Sequence, residues 1–88
     1  FKGPGGHSYG AFGLVNPAFA MADAMQRFSR VTVPAAPRTT FNVGVVQGGT
    51  SVNAIPVEVS MDVDMRSESP VELKKIDAAF RQLVADAV

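Results

Sequence analysis

The clearest pattern in the chain is an unbroken alternation: Ile55, Val57, Val59, Met61, Val63 and Met65 are apolar, and Pro56, Glu58, Ser60, Asp62, Asp64 and Arg66 lie between them. A period of two sends successive side chains to opposite sheet faces, so this segment predicts a strand with one buried and one wet face. Thr39 to Gln47 is also rich in strand formers, and plain alternation puts Phe41, Val43 and Val45 on one face and Asn42, Gly44 and Val46 on the other. Elsewhere the period lengthens. After Asn16-Pro17, a capping residue followed by a residue preset for the first helical position, Ala18, Met21, Ala22, Met25 and Phe28 recur at helical spacing and predict a helix to about Arg30. Ser69-Pro70-Val71-Glu72 has the form of a capping box, and Leu73, Ile76, Phe80, Leu83, Val84 and Ala87 behind it predict a second amphipathic helix.

The connections are marked as clearly as the elements. Val33-Pro34-Ala35-Ala36-Pro37 stops the first helix, because proline removes amide donors and biases the residue before it toward extended geometry. Gly48-Gly49-Thr50-Ser51 separates the strands, and five glycines within residues 1–13 make that stretch a loop leaving a strand near Phe1. The resulting order, strand, loop, helix, strand, strand, helix, predicts an α+β fold over residues 1–88 as one domain. It is a two-layer ferredoxin-like sandwich with both helices on one face of an antiparallel sheet. That layout calls for a further strand after the second helix, so the last strand is expected to be missing from this segment, which begins at Phe1-Lys2 like a piece cut from a larger chain. Thr39 to Gln47 is expected at a sheet edge, and Phe19, off the main stripe of the first helix, offers a second apolar contact.

Composition narrows the function. Eight basic and eight acidic residues balance to a formal net charge of +0, so no overall field draws the chain onto nucleic acid or an anionic membrane. No apolar run approaches the ~18 residues that span a bilayer, and no signal-peptide pattern opens the chain, which sets a cytoplasmic expectation. With one histidine and no cysteine, a metal site within the segment would rest on carboxylates. Asp62 and Asp64 share a strand face and read as solvated, and Met21 and Met25 read as packing.

Three polar residues stand out. His7 sits among glycines in Gly3-Pro4-Gly5-Gly6-His7-Ser8, a loop position for the one side chain that titrates near neutral pH. Asn53 lies at the mouth of the longest strand, suited to closing a turn or pointing its amide at a ligand. Arg66 ends that strand, where a guanidinium serves as a surface charge or as a partner for carboxylate. If they converge, the set suits an anionic or carbonyl-bearing ligand. Tyr9 and Phe12 beside His7 suit either loop packing or contact with a substrate side chain.

Gly3 to Ser8, Phe41 to Pro56 and Met61 to Ser67 together resemble, in order and spacing, the dimerisation or lid domain of the M20 family of zinc peptidases and amidohydrolases. That family includes carboxypeptidase G-type, peptidase T-like, succinyl-diaminopimelate desuccinylase and acetylornithine deacetylase enzymes. The resemblance implies a lid inserted in a larger catalytic domain that holds two zinc ions, with no metal ligand in this segment and no hydrolysis by the segment alone. It implies that His7, Asn53 and Arg66 are all supplied to the partner subunit's active site, where His7 polarises the scissile carbonyl and Asn53 and Arg66 hold the substrate's carboxylate or carbonyl. The implied partners are a second copy, docked through Thr39 to Gln47 and the first helix, the catalytic domain of the same parent chain, and a peptide or N-acyl amino acid substrate. The competing expectation is a free-standing ferredoxin-like ligand-binding or regulatory module.

Overall fold

Both helices begin where their caps predict. In the computed structural model, which describes residues 1–88, α1 spans Pro17–Ser29 and α2 spans Pro70–Ala87. The Asn16 side chain accepts from the Ala18 amide at 3.0 Å, and the Ser69 hydroxyl accepts from the Glu72 amide at 3.3 Å. The second half of the capping box does not form: the Ser69 amide donates to the Ser67 hydroxyl at 3.0 Å, and Glu72 pairs with Lys75 instead.

The predicted long strand is divided. Gly6–His7 forms β1, Thr39–Gly48 forms β2, Ala54–Ile55 forms β3 and Val59–Ser67 forms β4. Pro56, which has no amide to donate, falls in the break between β3 and β4. β1 pairs antiparallel with β3, and β2 pairs antiparallel with β4. Phe1 to Gly3 runs as a short extended segment beside the start of β4: the amino group of Phe1 donates to the Val59 carbonyl at 2.9 Å, the Val59 amide returns a bond to Phe1 at 2.9 Å, and the Gly3 amide donates to Val57 at 2.8 Å. The amide and carbonyl of one strand residue point the same way, so β2, which meets Val59 at Gly48, lies on the opposite side of β4. The order is therefore N-terminal segment, β4, β2, and β2 is an edge with its outer side unpaired.

Plain alternation fails within β2. Val43 pairs with Val63 but Val45 pairs with Asp62, so Gly44 is an extra residue opposite a single partner. A bulge of this kind reverses which face later residues occupy. Phe41, Val43 and Val46 therefore lie on the face of Met65, Val63 and Met61, and Val45 joins Asp62 on the other face, correcting the arrangement expected from period two.

Phe28 is the hub of the core. Its ring is 1% exposed and stands 4.5 Å from Phe41 of β2 and 4.8 Å from Phe80 of α2, in tilted and edge-on geometries favourable for aromatic pairs. Ala24, Ile76 and Leu83 complete the buried cluster, and Phe41, Val43, Met61, Val63 and Met65 pack on it from the sheet. Both helices thus lie on one face of an antiparallel sheet, the ferredoxin-like sandwich. On α1 the buried residues are Pro17, Met21, Ala24 and Phe28, while Ala22 is exposed, so the stripe is rotated slightly from the expected one.

Gly48 ends β2 at φ +139°, where a Cβ would come within 2.6 Å of the Glu58 carbonyl oxygen and the Val59 Cα. Only glycine lets the two backbones approach this closely without strain. Phe28→Ala is expected to cost about 3–5 kcal/mol, read as a large drop in the urea midpoint; an unchanged midpoint would show that the aromatic cluster does not hold the layers together. Gly48→Ala is expected to destabilise by more than about 1 kcal/mol, since neither its dihedral nor its contact suits a side chain, and a melting temperature equal to that of the parent would count against that close contact.

Candidate functional site

Local pairing brings two of the three candidate residues together. His7 lies opposite Ala54 in the β1–β3 ladder, and the Ser8 amide donates to the Asn53 carbonyl at 2.9 Å, so His7 and Asn53 are held side by side. Both side chains are exposed and line one open depression with Gly48, Gly49, Thr50 and Val59. The loop leading there depends on Gly6, at φ +141°, where a Cβ would stand 2.7 Å from that of Ala11. Beyond it the Ala11 amide donates to the His7 carbonyl at 2.8 Å and closes a turn.

Each side chain has one end committed and one end free. The Tyr9 amide donates to His7 Nδ1 at 3.3 Å, so in the neutral ring Nδ1 accepts and Nε2 carries the proton outward. The Ser51 hydroxyl donates to Asn53 Oδ1 at 3.0 Å, which leaves the Asn53 amide nitrogen to donate outward. The backbone amides of Gly49 and Thr50, on the same rim, donate to no group in the chain. The depression, which Glu58 also lines, therefore gathers four free donors, the equipment for a carbonyl oxygen or an oxyanion.

Arg66 does not join them. It lies seven residues along β4 from Val59, or about 23 Å at ~3.3 Å per residue. There its Nε donates to Asp64 Oδ1 at 3.2 Å and Oδ2 at 3.1 Å. Its neighbours in a separate polar cleft are Arg38, Thr40, Ser67 and Glu68. The donor set thus divides between the β1–β3 ladder, beside the Gly48 end of the larger sheet, and the opposite end of that larger sheet. Tyr9 and Phe12 are each 89% exposed, so the loop does not pack them against its own domain.

Three elements of the site escape sequence reading. Tyr9 and Ser51 orient His7 and Asn53 through one hydrogen bond each, and Arg38 shares the cleft of Arg66. Their only trace in the sequence is proximity to the motif residues. No three His, Cys, Asp or Glu side chains come together, so the residues present do not fit a zinc centre. No helix is long and apolar enough to cross a membrane.

The architecture is shared with a known protein. A crystal structure of an aminobenzoyl-glutamate utilization protein from Klebsiella pneumoniae superimposes with a TM-score of 0.88 at 28% sequence identity, over 98% of this chain and 22% of that one. The chain therefore corresponds to about a fifth of that protein's length. No curated protein sequence matches it significantly. The match to the family described as the peptidase dimerisation domain runs over residues 1–88, and with the fold in agreement the chain belongs to the M20 peptidase dimerisation domain family.

Proposed function

We propose that this domain joins two copies of a zinc-dependent M20-type peptidase or amidohydrolase and completes the active sites of both. The unpaired edge of β2, with Val45 and Val46 45% and 52% exposed, supports assembly through that strand and the adjoining side of α1. Zinc would be held by a catalytic domain of the parent chain, since the residues here do not fit a metal site.

The observation that carries the reading is the separation of His7 and Asn53, beside the Gly48 end of the larger sheet, from Arg66 at its opposite end. Two copies related by a two-fold axis pair their β2 strands antiparallel, which sets the Gly48 end of one copy beside the Thr40 end of the other. Arg66 is opposite Thr40, and His7 and Asn53 share the Gly48 end. His7 and Asn53 of one copy thereby serve the same centre as Arg66 of the other. In that arrangement His7 and Asn53 act across the dimer and Arg66 acts on the substrate of its own chain, unlike the all-across arrangement implied by family resemblance alone.

The roles follow from the free atoms. His7 Nε2–H and the Asn53 amide nitrogen donate to the scissile carbonyl oxygen and hold it more tightly as it gains negative charge. Arg66, steadied through Nε by Asp64, offers its remaining nitrogens to the substrate carboxylate. A peptide or N-acyl amino acid has both groups.

His7→Ala in the full-length enzyme is expected to lower kcat by about 100-fold or more, the loss seen when one such donor is removed, with dimer mass and zinc content unchanged. Normal turnover would sink the catalytic role and favour a purely structural dimerisation domain. The division between subunits has its own test. His7→Ala and Arg66→Ala proteins, each inactive, are expected on subunit exchange to recover about a quarter of wild-type activity, because half the dimers are mixed and each has one intact centre. If both residues served the same partner site, no activity would return.

A further inference from the structure

Arg38 belongs to neither the core nor the donor pair, yet the register places it beside Arg66. The Arg38 carbonyl accepts from the Glu68 amide at 3.1 Å, and the Arg38 amide donates to Glu68 Oε1 at 3.0 Å, extending the β2–β4 ladder one residue past Thr39 and Ser67. Arg38 therefore sits diagonally across from Arg66, at the ~7–8 Å spacing that long side chains bridge readily. Arg38, Thr40, Asp64, Arg66 and Glu68 occupy the sheet face away from the helices, since Phe41 and Met65 between them turn to the core. No apolar residue lines the cleft they form with Ser67.

Each acid in this cleft is held by a hydrogen bond, and Glu68 keeps one oxygen free. Asp64 is bound to the Nε of Arg66, and one oxygen of Glu68 is bound to the backbone amide of Arg38. The Arg38 guanidinium has no carboxylate within salt-bridge distance, and the terminal nitrogens of Arg66 are free. Two guanidinium forks thus face the same cleft, and each can take one carboxylate in bidentate fashion.

We infer that Arg38 and Arg66 form a two-carboxylate binding site, so that the preferred substrate has an acidic residue, such as glutamate, on the carboxyl side of the scissile amide. This rests on the role proposed for Arg66: Arg66 holds the α-carboxylate, and Arg38 holds the side-chain carboxylate and sets specificity. Arg38 touches the substrate away from the reacting atoms, so its loss raises KM and leaves kcat nearly intact.

The test compares N-acetyl-L-glutamate with N-acetyl-L-glutamine on the full-length dimeric enzyme, by turnover and by calorimetric binding. The pair differs in charge at one position and little in size. The wild-type protein is expected to prefer the glutamate compound by at least about tenfold, the scale of one charge-assisted contact. Arg38→Ala should erase that preference, with a much larger rise in KM for the glutamate compound than for the glutamine compound, and Arg38→Lys should retain part of it. Absence of a wild-type preference, an equal effect of Arg38→Ala on both compounds, or no effect on either overturns the inference. The broader reading fails separately: if Arg66→Ala changes neither compound, or His7→Ala leaves turnover intact, the proposed active-site roles fall whatever Arg38 does.

Discussion

The antiparallel pairing of β2 with β4 is the constraint on which the rest depends. At Val59 the amide and carbonyl are taken by Phe1, and the opposite side of the strand is taken by β2 from Thr39 to Gly48. β2 pairs with β4 alone, so its other side is an edge, and an unpaired edge is what a second copy needs to extend the sheet. The same antiparallel ladder carries Arg66 to one end of the sheet and brings the Gly48 turn, with His7 and Asn53 beside it, to the other. Strand order and strand length together thus separate the candidate donors.

The helical layer makes that arrangement rigid. Phe28 contacts an aromatic ring on the sheet and another on α2, so one α1 side chain ties both layers together. Only nine of the 88 residues are buried, so few other contacts could compensate for its loss. Much apolar surface stays exposed, including Phe19, Tyr9, Phe12, Val45 and Val46. A domain whose family is defined by dimerisation, and which matches about a fifth of a longer structural relative, has other surfaces to meet.

At the site, short-range geometry and long-range geometry do different work. Hydrogen bonds spanning two residues orient His7 and Asn53: Tyr9 selects the imidazole tautomer and Ser51 aims the amide nitrogen outward. Those two residues make a donor pair in a depression that is also lined by Glu58, Thr50 and Ser60 but holds no metal-ligand set. Such a pair supports chemistry supplied from elsewhere, which agrees with a domain that acts by being brought against another. Arg66 is likewise steadied by Asp64 two residues away, but its place beside Arg38 comes from the ladder, in which Arg38 pairs with Glu68 thirty positions on.

The sequence by itself determined the elements whose causes are local. Asn16-Pro17 and Ser69-Pro70 start their helices through a cap within two or three residues, and the alternation from Val59 to Met65 makes a strand whichever partner it finds. The glycine-flanked His7 and the Asn53 and Arg66 motifs were legible as candidates for the same reason, since residue type and neighbours carry that signal. Tertiary structure decided the rest. The Gly44 bulge reverses the faces of Val45 and Val46 because a register shift is a property of two strands and not of one. Whether His7, Asn53, Arg66 and Arg38 meet depends on strand order, ladder length and the placement of both ends of the sheet. Those are relations between residues far apart in the chain, and no local spacing encodes them.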